Sequence, residues 1–168
     1  MSETIDGETV GGVGNVAMED IAELSGLEFI QGLRDRRFPA PPISKTLNFV
    51  LREAEPGRVV FAGTPGDDHL NPMGIVHGGW VSTLLDSALG CAGQTLAPKG
   101  MGSTSVDLKV NYTRPITPRT GRLVCEANVI HPGRQLATVE ARVTGEADGK
   151  LYAHGEQVVT FFPIGGAR

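Results

Sequence analysis

Asp86 is the only acidic side chain between His77 and Leu96, a stretch whose other residues are mostly apolar. Trp80, Val81, Leu84, Leu85, Ala88, Leu89, Cys91 and Ala92 recur at helical spacing and cover most of the circumference of the helix they predict. Such a helix is enclosed by other elements, and a lone carboxylate on it is costly to bury. The group can be a structural one, satisfied by a neighbouring Ser or Arg or simply exposed, or it can do chemistry. Its neighbours at three, four or seven residues are Gly79, Ser82, Thr83, Gly90 and Gly93. That stripe is narrow and small-sided, so another backbone, subunit or ligand can come close to the acid.

His77-Gly78-Gly79 opens the same helix. The glycines leave the first backbone N–H groups uncovered at the positive end of the helix dipole. Donors placed there can stabilise a carbonyl oxygen as it becomes an oxyanion. The same tripeptide also serves as a plain loop-to-helix turn capped by His77. Gly78 and Asp86 are eight residues apart, about 12 Å along one helix. Both cannot touch one reacting carbonyl from the same chain. Joint action needs a second copy, its helix running antiparallel across a two-fold axis.

Other candidates carry less. His69, His131 and His154 show no HxH or HExxH spacing, so no metal site is expected. Ser82, Ser87, Ser103 and Ser105 lie outside any GxSxG pattern. Gly11-Gly12-Val13-Gly14 does not follow a strand, and no nucleotide-binding loop appears. Cys91 and Cys125 sit in apolar stretches without CxxC spacing and read as buried, reduced thiols.

The elements that would position these residues follow from periodicity. Residues 1–18 are polar and Gly-rich and predict a disordered tail; 19–168 form one domain. Apolar residues from Met18 through Ile21, Leu24, Leu27, Ile30 and Leu33 predict a leading helix, ended by Pro39, Pro41 and Pro42 in a stiff connection. Leu47 to Glu53 and Arg58 to Gly63 predict two strands, and Thr64 to Val76 a loop. After Gly100 the pattern alternates. Val106, Leu108, Val110 and Tyr112 share one face, then Leu123, Cys125, Ala127 and Val129, then Ala137, Val139, Ala141 and Val143, with a last strand from Leu151 to Phe162. Two strands, a buried helix and four meandering strands give an α+β plan, one sheet with a helix in its concavity.

The chain has 168 residues, with 15 Lys and Arg against 19 acidic residues and a net charge of −4. That balance argues against a general nucleic-acid binder, whose affinity comes from basic phosphate contacts. No apolar run is long enough to span a membrane. The N-terminus lacks a basic region followed by an apolar one, so a secretory signal is not expected and the cytoplasm is the expected compartment.

Asn71-Pro-Met-Gly-Ile-Val-His77-Gly-Gly, with Asp86 nine residues after the His in LLDSALG, resembles the signature of the PaaI-like hotdog thioesterases. The resemblance continues through Gly102-Ser-Thr-Ser-Val-Asp-Leu, NYTRPITPRTG and GRQLATVEARV, and covers about residues 45–163. It implies a hotdog fold, a curved antiparallel sheet wrapped around a long helix, as a homodimer that commonly pairs into a homotetramer. The implied activity is hydrolysis of an acyl-CoA, aryl, arylacetyl or medium-chain, to a carboxylate and free CoA, with no metal or cofactor. Residue by residue, Gly78 would polarise the thioester carbonyl through its N–H, with Gly79 beside it and Asn71 assisting from the same subunit. Asp86 from the facing subunit would activate the water or attack directly, and Ser105 would place the water. His77, the other candidate base of the catalytic set, would serve loop architecture because Asp86 already fills that role. Arg114, Arg119 and Arg134 are candidate contacts for the CoA phosphates. A non-catalytic acyl-CoA-binding protein on the same fold and a hotdog hydratase or dehydratase are the alternative readings.

Overall fold

The structure, a computed structural model, describes residues 3–165. The polar N-terminal segment departs from the expected disorder. Within the described part of it, β1 (Glu3–Ile5) and β2 (Glu8–Val10) form a hairpin; the first two residues of that span lie outside the described residues. Ile5 and Val10 are buried and pack with Val50 in a small satellite cluster. Arg122 draws the turn down by pairing with Asp6 at 2.7 Å and Glu8 at 2.7 Å. Two apolar side chains among polar neighbours are too few to show as a period, which is why composition alone reads as a tail.

The predicted leading helix is two helices, α1 (Met18–Ala22) and α2 (Gly26–Arg34). Ser25 breaks it by capping α2: its side chain accepts from Glu28 N, while Glu28 Oε2 accepts from Ser25 N at 2.8 Å. Gly26 lies so close to the central helix that a Cβ there would stand 1.7 Å from Gln94 O. The expected stiff connection holds a further short helix, α3 (Pro42–Leu47), with proline at its first position.

Next come β3 (Phe49–Glu55) and β4 (Arg58–Gly63), paired antiparallel, and then the central helix α4 (Gly78–Gln94). β5 (Met101–Ser105), β6 (Lys109–Tyr112), β7 (Leu123–Pro132), β8 (Leu136–Gly145) and β9 (Leu151–Pro163) complete a seven-stranded antiparallel sheet in the order β3-β4-β7-β8-β9-β5, with β6 as the seventh strand, also beside β9. The last four predicted strands are therefore not a simple meander, because β5 and β6 both pair with β9. The strand expected to run through Val106 and Leu108 breaks there. Asp107 Oδ1 accepts from Val158 N at 2.8 Å and fills the gap in the ladder. Val106, Leu108 and Tyr112, expected to share one face, are 61 %, 37 % and 55 % exposed.

The sheet curls around α4, the α+β plan read from the periodicity. Leu84, Leu85, Ala88 and Leu89 of α4 meet Leu123, Cys125, Ala127, Val139, Ala141 and Val143 in one core. Each leucine so buried contributes roughly 1.5–3 kcal/mol. Trp80 is buried as well, its Nε1 donating to Leu47 O at 2.7 Å, which ties α4 to α3. The helix is thereby held on three sides, and one face is left open.

Candidate active site

The loop before α4 is shaped by Asn71. Its Oδ1 accepts from Met73 N at 2.9 Å, and its backbone N–H donates to Ile75 O at 2.8 Å. The amide oxygen is thus spent inside the loop, and these contacts leave Nδ2 to donate elsewhere. His77 is the N-cap of α4: its Nδ1 accepts from Gly79 N at 2.9 Å. This satisfies Gly79, so the Gly79 N–H expected to sit beside the carbonyl is already engaged. Trp80 N donates to His77 O at 3.0 Å. Gly78 N–H is left as the donor without a partner among the described residues.

Both glycines answer to crowding. A Cβ on Gly78 would lie 3.0 Å from Tyr112 Oη, and one on Gly79 would lie 2.9 Å from His77 Nδ1. Tyr112 Oη donates to Gly78 O at 3.1 Å and meets Ser82 Oγ at 2.7 Å, while Ser82 Oγ donates to Gly78 O at 3.0 Å. β6 is in this way clamped onto the first turn of α4. Asn71, Gly78, Tyr112 and Arg114 line one cleft of about 400 Å³.

Asp86 lies on the open face of α4 and is exposed in the single chain. Ser105 Oγ donates to Asp86 Oδ1 at 3.2 Å, and Gln157 Nε2 donates to the same oxygen at 2.6 Å. Both contacts fall on Oδ1, which leaves Oδ2 as the oxygen open to a ligand or water. Gln157 was not anticipated. It is 1 % exposed and its Oε1 has no partner among the described residues. The signal in the sequence is a polar residue at an inward position of an alternating strand, in register with Ala153, Gly155 and Val159.

The acid and the helix start open on different clefts, because Asp86 lines a second one with Gly90, Cys91, Gln94 and Ser105. Of the arginines, only Arg114 joins Asn71 and Gly78. Arg119 sits in the turn closed by Thr120 N donating to Thr117 O at 2.9 Å. Arg134 lies in the turn before β8, beside residues 160–161 of β9, whereas Arg114 N meets Tyr152 O at the other end of that strand. Eight residues of strand hold them about 27 Å apart. His69 is structural: its Nδ1 accepts from Gly66 N at 2.9 Å and its Nε2 reaches Thr46 O at 3.0 Å. Burial pushes the Cys91 thiol up to about 12, and Cys125 higher still, so both stay protonated at neutral pH.

Comparison with known proteins bears on the family and the fold. Residues 73–152 match the thioesterase superfamily. Human acyl-coenzyme A thioesterase 13 is 32 % identical over 106 residues, spanning 62 % of this chain and 74 % of that protein. A variant of the phenylacetic acid degradation protein PaaI from Thermus thermophilus is 31 % identical, with TM-score 0.64, covering 71 % of this chain and 97 % of that one. The E. coli PaaI protein, at 21 % identity, shares the fold, with TM-score 0.70 over 85 % of this chain and 99 % of its own. The chain belongs to the thioesterase superfamily, in its PaaI-like branch of hotdog-fold thioester hydrolases.

Proposed function

We propose that the protein hydrolyses an acyl-CoA thioester at a site completed by two copies of the chain. The observation that carries this reading is the separation on α4 of a free helix-start donor, Gly78 N–H, from a carboxylate held by two donors, Asp86. About 12 Å of helix divides them, and a second α4 running antiparallel would bring one copy's acid opposite the other's amide. The open face of α4 supports such an approach, since Gly79 and Asp86 are exposed there and Thr83 and Gly90 half-buried. β6 supports it too, being a free sheet edge with Tyr112 exposed beside Val106 and Leu108.

In this mechanism Gly78 N–H and Asn71 Nδ2 donate to the thioester carbonyl oxygen, and the helix dipole adds to the polarisation. Oδ2 of Asp86 from the second copy takes a proton from water as the water oxygen bonds to the carbonyl carbon. The tetrahedral oxyanion collapses, the carbon–sulfur bond breaks, and the proton passes from Asp86 to the CoA sulfur. Ser105 and Gln157 keep Oδ2 aimed at the water by holding Oδ1. His77 keeps the helix start in shape, and Arg114 is the arginine nearest the carbonyl end for a CoA phosphate. Attack by Asp86 itself would instead give a mixed anhydride. A single turnover in ¹⁸O-water that leaves label in Asp86 would establish the anhydride route, with water attacking the Asp86 carbonyl of the anhydride.

The direct test is colorimetric release of CoA thiol from a panel of acyl-CoA thioesters. Wild type should turn over and Asp86→Asn should lose at least about 100-fold in kcat while keeping its assembly. A wild-type protein that binds acyl-CoA without releasing thiol would favour a binding protein. Hydration of an enoyl-CoA would favour a hydratase.

A further inference from the structure

The cleft beside Asp86 has a neighbour that the proposed chemistry does not use. Ser87 and Cys91, one turn apart on α4, line that cleft and also a second, more enclosed chamber of about 140 Å³ behind it. Ile30 of α2 borders the cleft, and Leu33, one turn on, borders the chamber. The two spaces therefore follow one seam between α2 and α4, parted by a hydroxymethyl group and a thiol. The chamber's inner wall is aromatic and aliphatic, with Phe49, Leu51 and Phe61, and its outer wall includes Val10 of β2.

We propose that this chamber is the acyl subsite and that the N-terminal segment sets the length of tail it accepts; the inference rests on the thioesterase reading and names its substrate class. A tail leaving a carbonyl at Asp86 and passing Ser87 enters the chamber directly. A dry apolar cavity of roughly 150 Å³ holds one benzene ring, so this chamber takes a phenyl group or about six carbons. A long fatty acyl chain does not fit. Of the charged groups on its lining, Glu8 is held by Arg122 at 2.7 Å and Arg34 by Asp35 at 2.7 Å, while Arg36 is exposed and carries no ion pair among the described residues. Of the lining residues only Ser87 and Cys91 fall within the span matched to the thioesterase superfamily. The hairpin, α2, α3 and β3 supply most of the remaining wall, so they would set which tail the chamber accepts.

The test is a chain-length series of acyl-CoA thioesters on the full-length protein, from acetyl through butyryl, hexanoyl and octanoyl to palmitoyl, with phenylacetyl. Each methylene seated should raise kcat/KM about fourfold up to hexanoyl, phenylacetyl should be accepted, and palmitoyl should fall well below the optimum. Val10→Phe fills the chamber and should lower the hexanoyl-to-butyryl ratio about tenfold or more. Leu33→Ala enlarges it and should raise the octanoyl-to-hexanoyl ratio, which keeps the test open if Val10→Phe does not fold. A flat wild-type series, a palmitoyl optimum, or active variants with unchanged ratios would overturn the chamber as acyl subsite. Absence of any thioester turnover would overturn the thioesterase reading instead. Binding of phenylacetate, followed by methyl NMR of Val10, Leu33 and Val50, then still decides the chamber: shifts at these methyls support it, and their absence overturns it.

Discussion

Mixing two inactive variants provides the sharpest check on a site shared between copies. Gly78 is the first residue of α4, and His77 before it is extended, with φ −62° and ψ 136°, the backbone that a following proline requires. Proline is tolerated at this helix position because its missing N–H has no intrahelical partner. Gly78→Pro therefore deletes the free donor and little else, apart from crowding the Tyr112 phenol, whose Oη and Cζ lie 3.0 and 3.1 Å from the new Cβ. Tyr112→Ala accompanies it to relieve that contact, and Tyr112→Ala alone is the control. Loss of one oxyanion donor costs about 10²–10³ in kcat, and Asp86→Asn about 10²–10⁴. After subunit exchange at equal concentrations half the dimers are mixed, and each mixed dimer has one whole site and one doubly damaged site. Activity should return to about a quarter of wild type, far above either parent. Thiol release measures it, and native mass spectrometry counts the mixed dimers. If mixed dimers form and the rate stays at the parents' mean, donor and acid act within one chain and the reasoning from helix length is wrong.

Three other outcomes follow from the packing. Gln157→Met removes the donor held 2.6 Å from Asp86 Oδ1 together with an unpartnered buried oxygen, so kcat should fall about tenfold with KM and the urea midpoint nearly unchanged; equal loss of stability and activity would make Gln157 merely structural. Gly26→Ala forces a Cβ to within 1.7 Å of Gln94 O and should destabilise the fold by about 3 kcal/mol or more, read from urea denaturation; a loss under about 1 kcal/mol would mean that α2 moves freely on α4. The hydrogen bond from Arg58 at 3.0 Å holds the Glu126 carboxyl below the usual glutamate range. That stabilisation is complete at neutral pH and is lost as pH falls through the folded-state value. Arg58→Met should accordingly show a shallower loss of Tm between about pH 5 and pH 3, and an unchanged slope would remove the pair from acid unfolding.

Asn71, His77, Gly78 and Asp86 were legible in the sequence because they lie within sixteen residues of one another. Their chemistry is local: a loop, a cap and one helix. The inward faces of β7 and β8 were legible for a similar reason, since a two-residue period is a property of the strand itself. Gln157 was not, because its contact with Asp86 spans 71 positions and an inward position in an alternating strand does not say which group the amide meets. Alternation shows that Val106, Leu108 and Tyr112 share an apolar face but not what covers it, and all three are exposed in the single chain.

The type and spacing of residues by themselves determined that one long apolar helix carries an acid, that its start offers bare amides, and that the two are too far apart to meet in one chain. Helix geometry is the same wherever a helix forms, so those statements need no fold. Tertiary structure alone decided which oxygen of Asp86 stays free, that His77 takes the Gly79 amide and leaves Gly78 the free one, and that the N-terminal hairpin closes a chamber behind Ser87 and Cys91. Each of these depends on contacts between segments distant in the chain, and the direction and closeness of such contacts are set by packing, which no local period records.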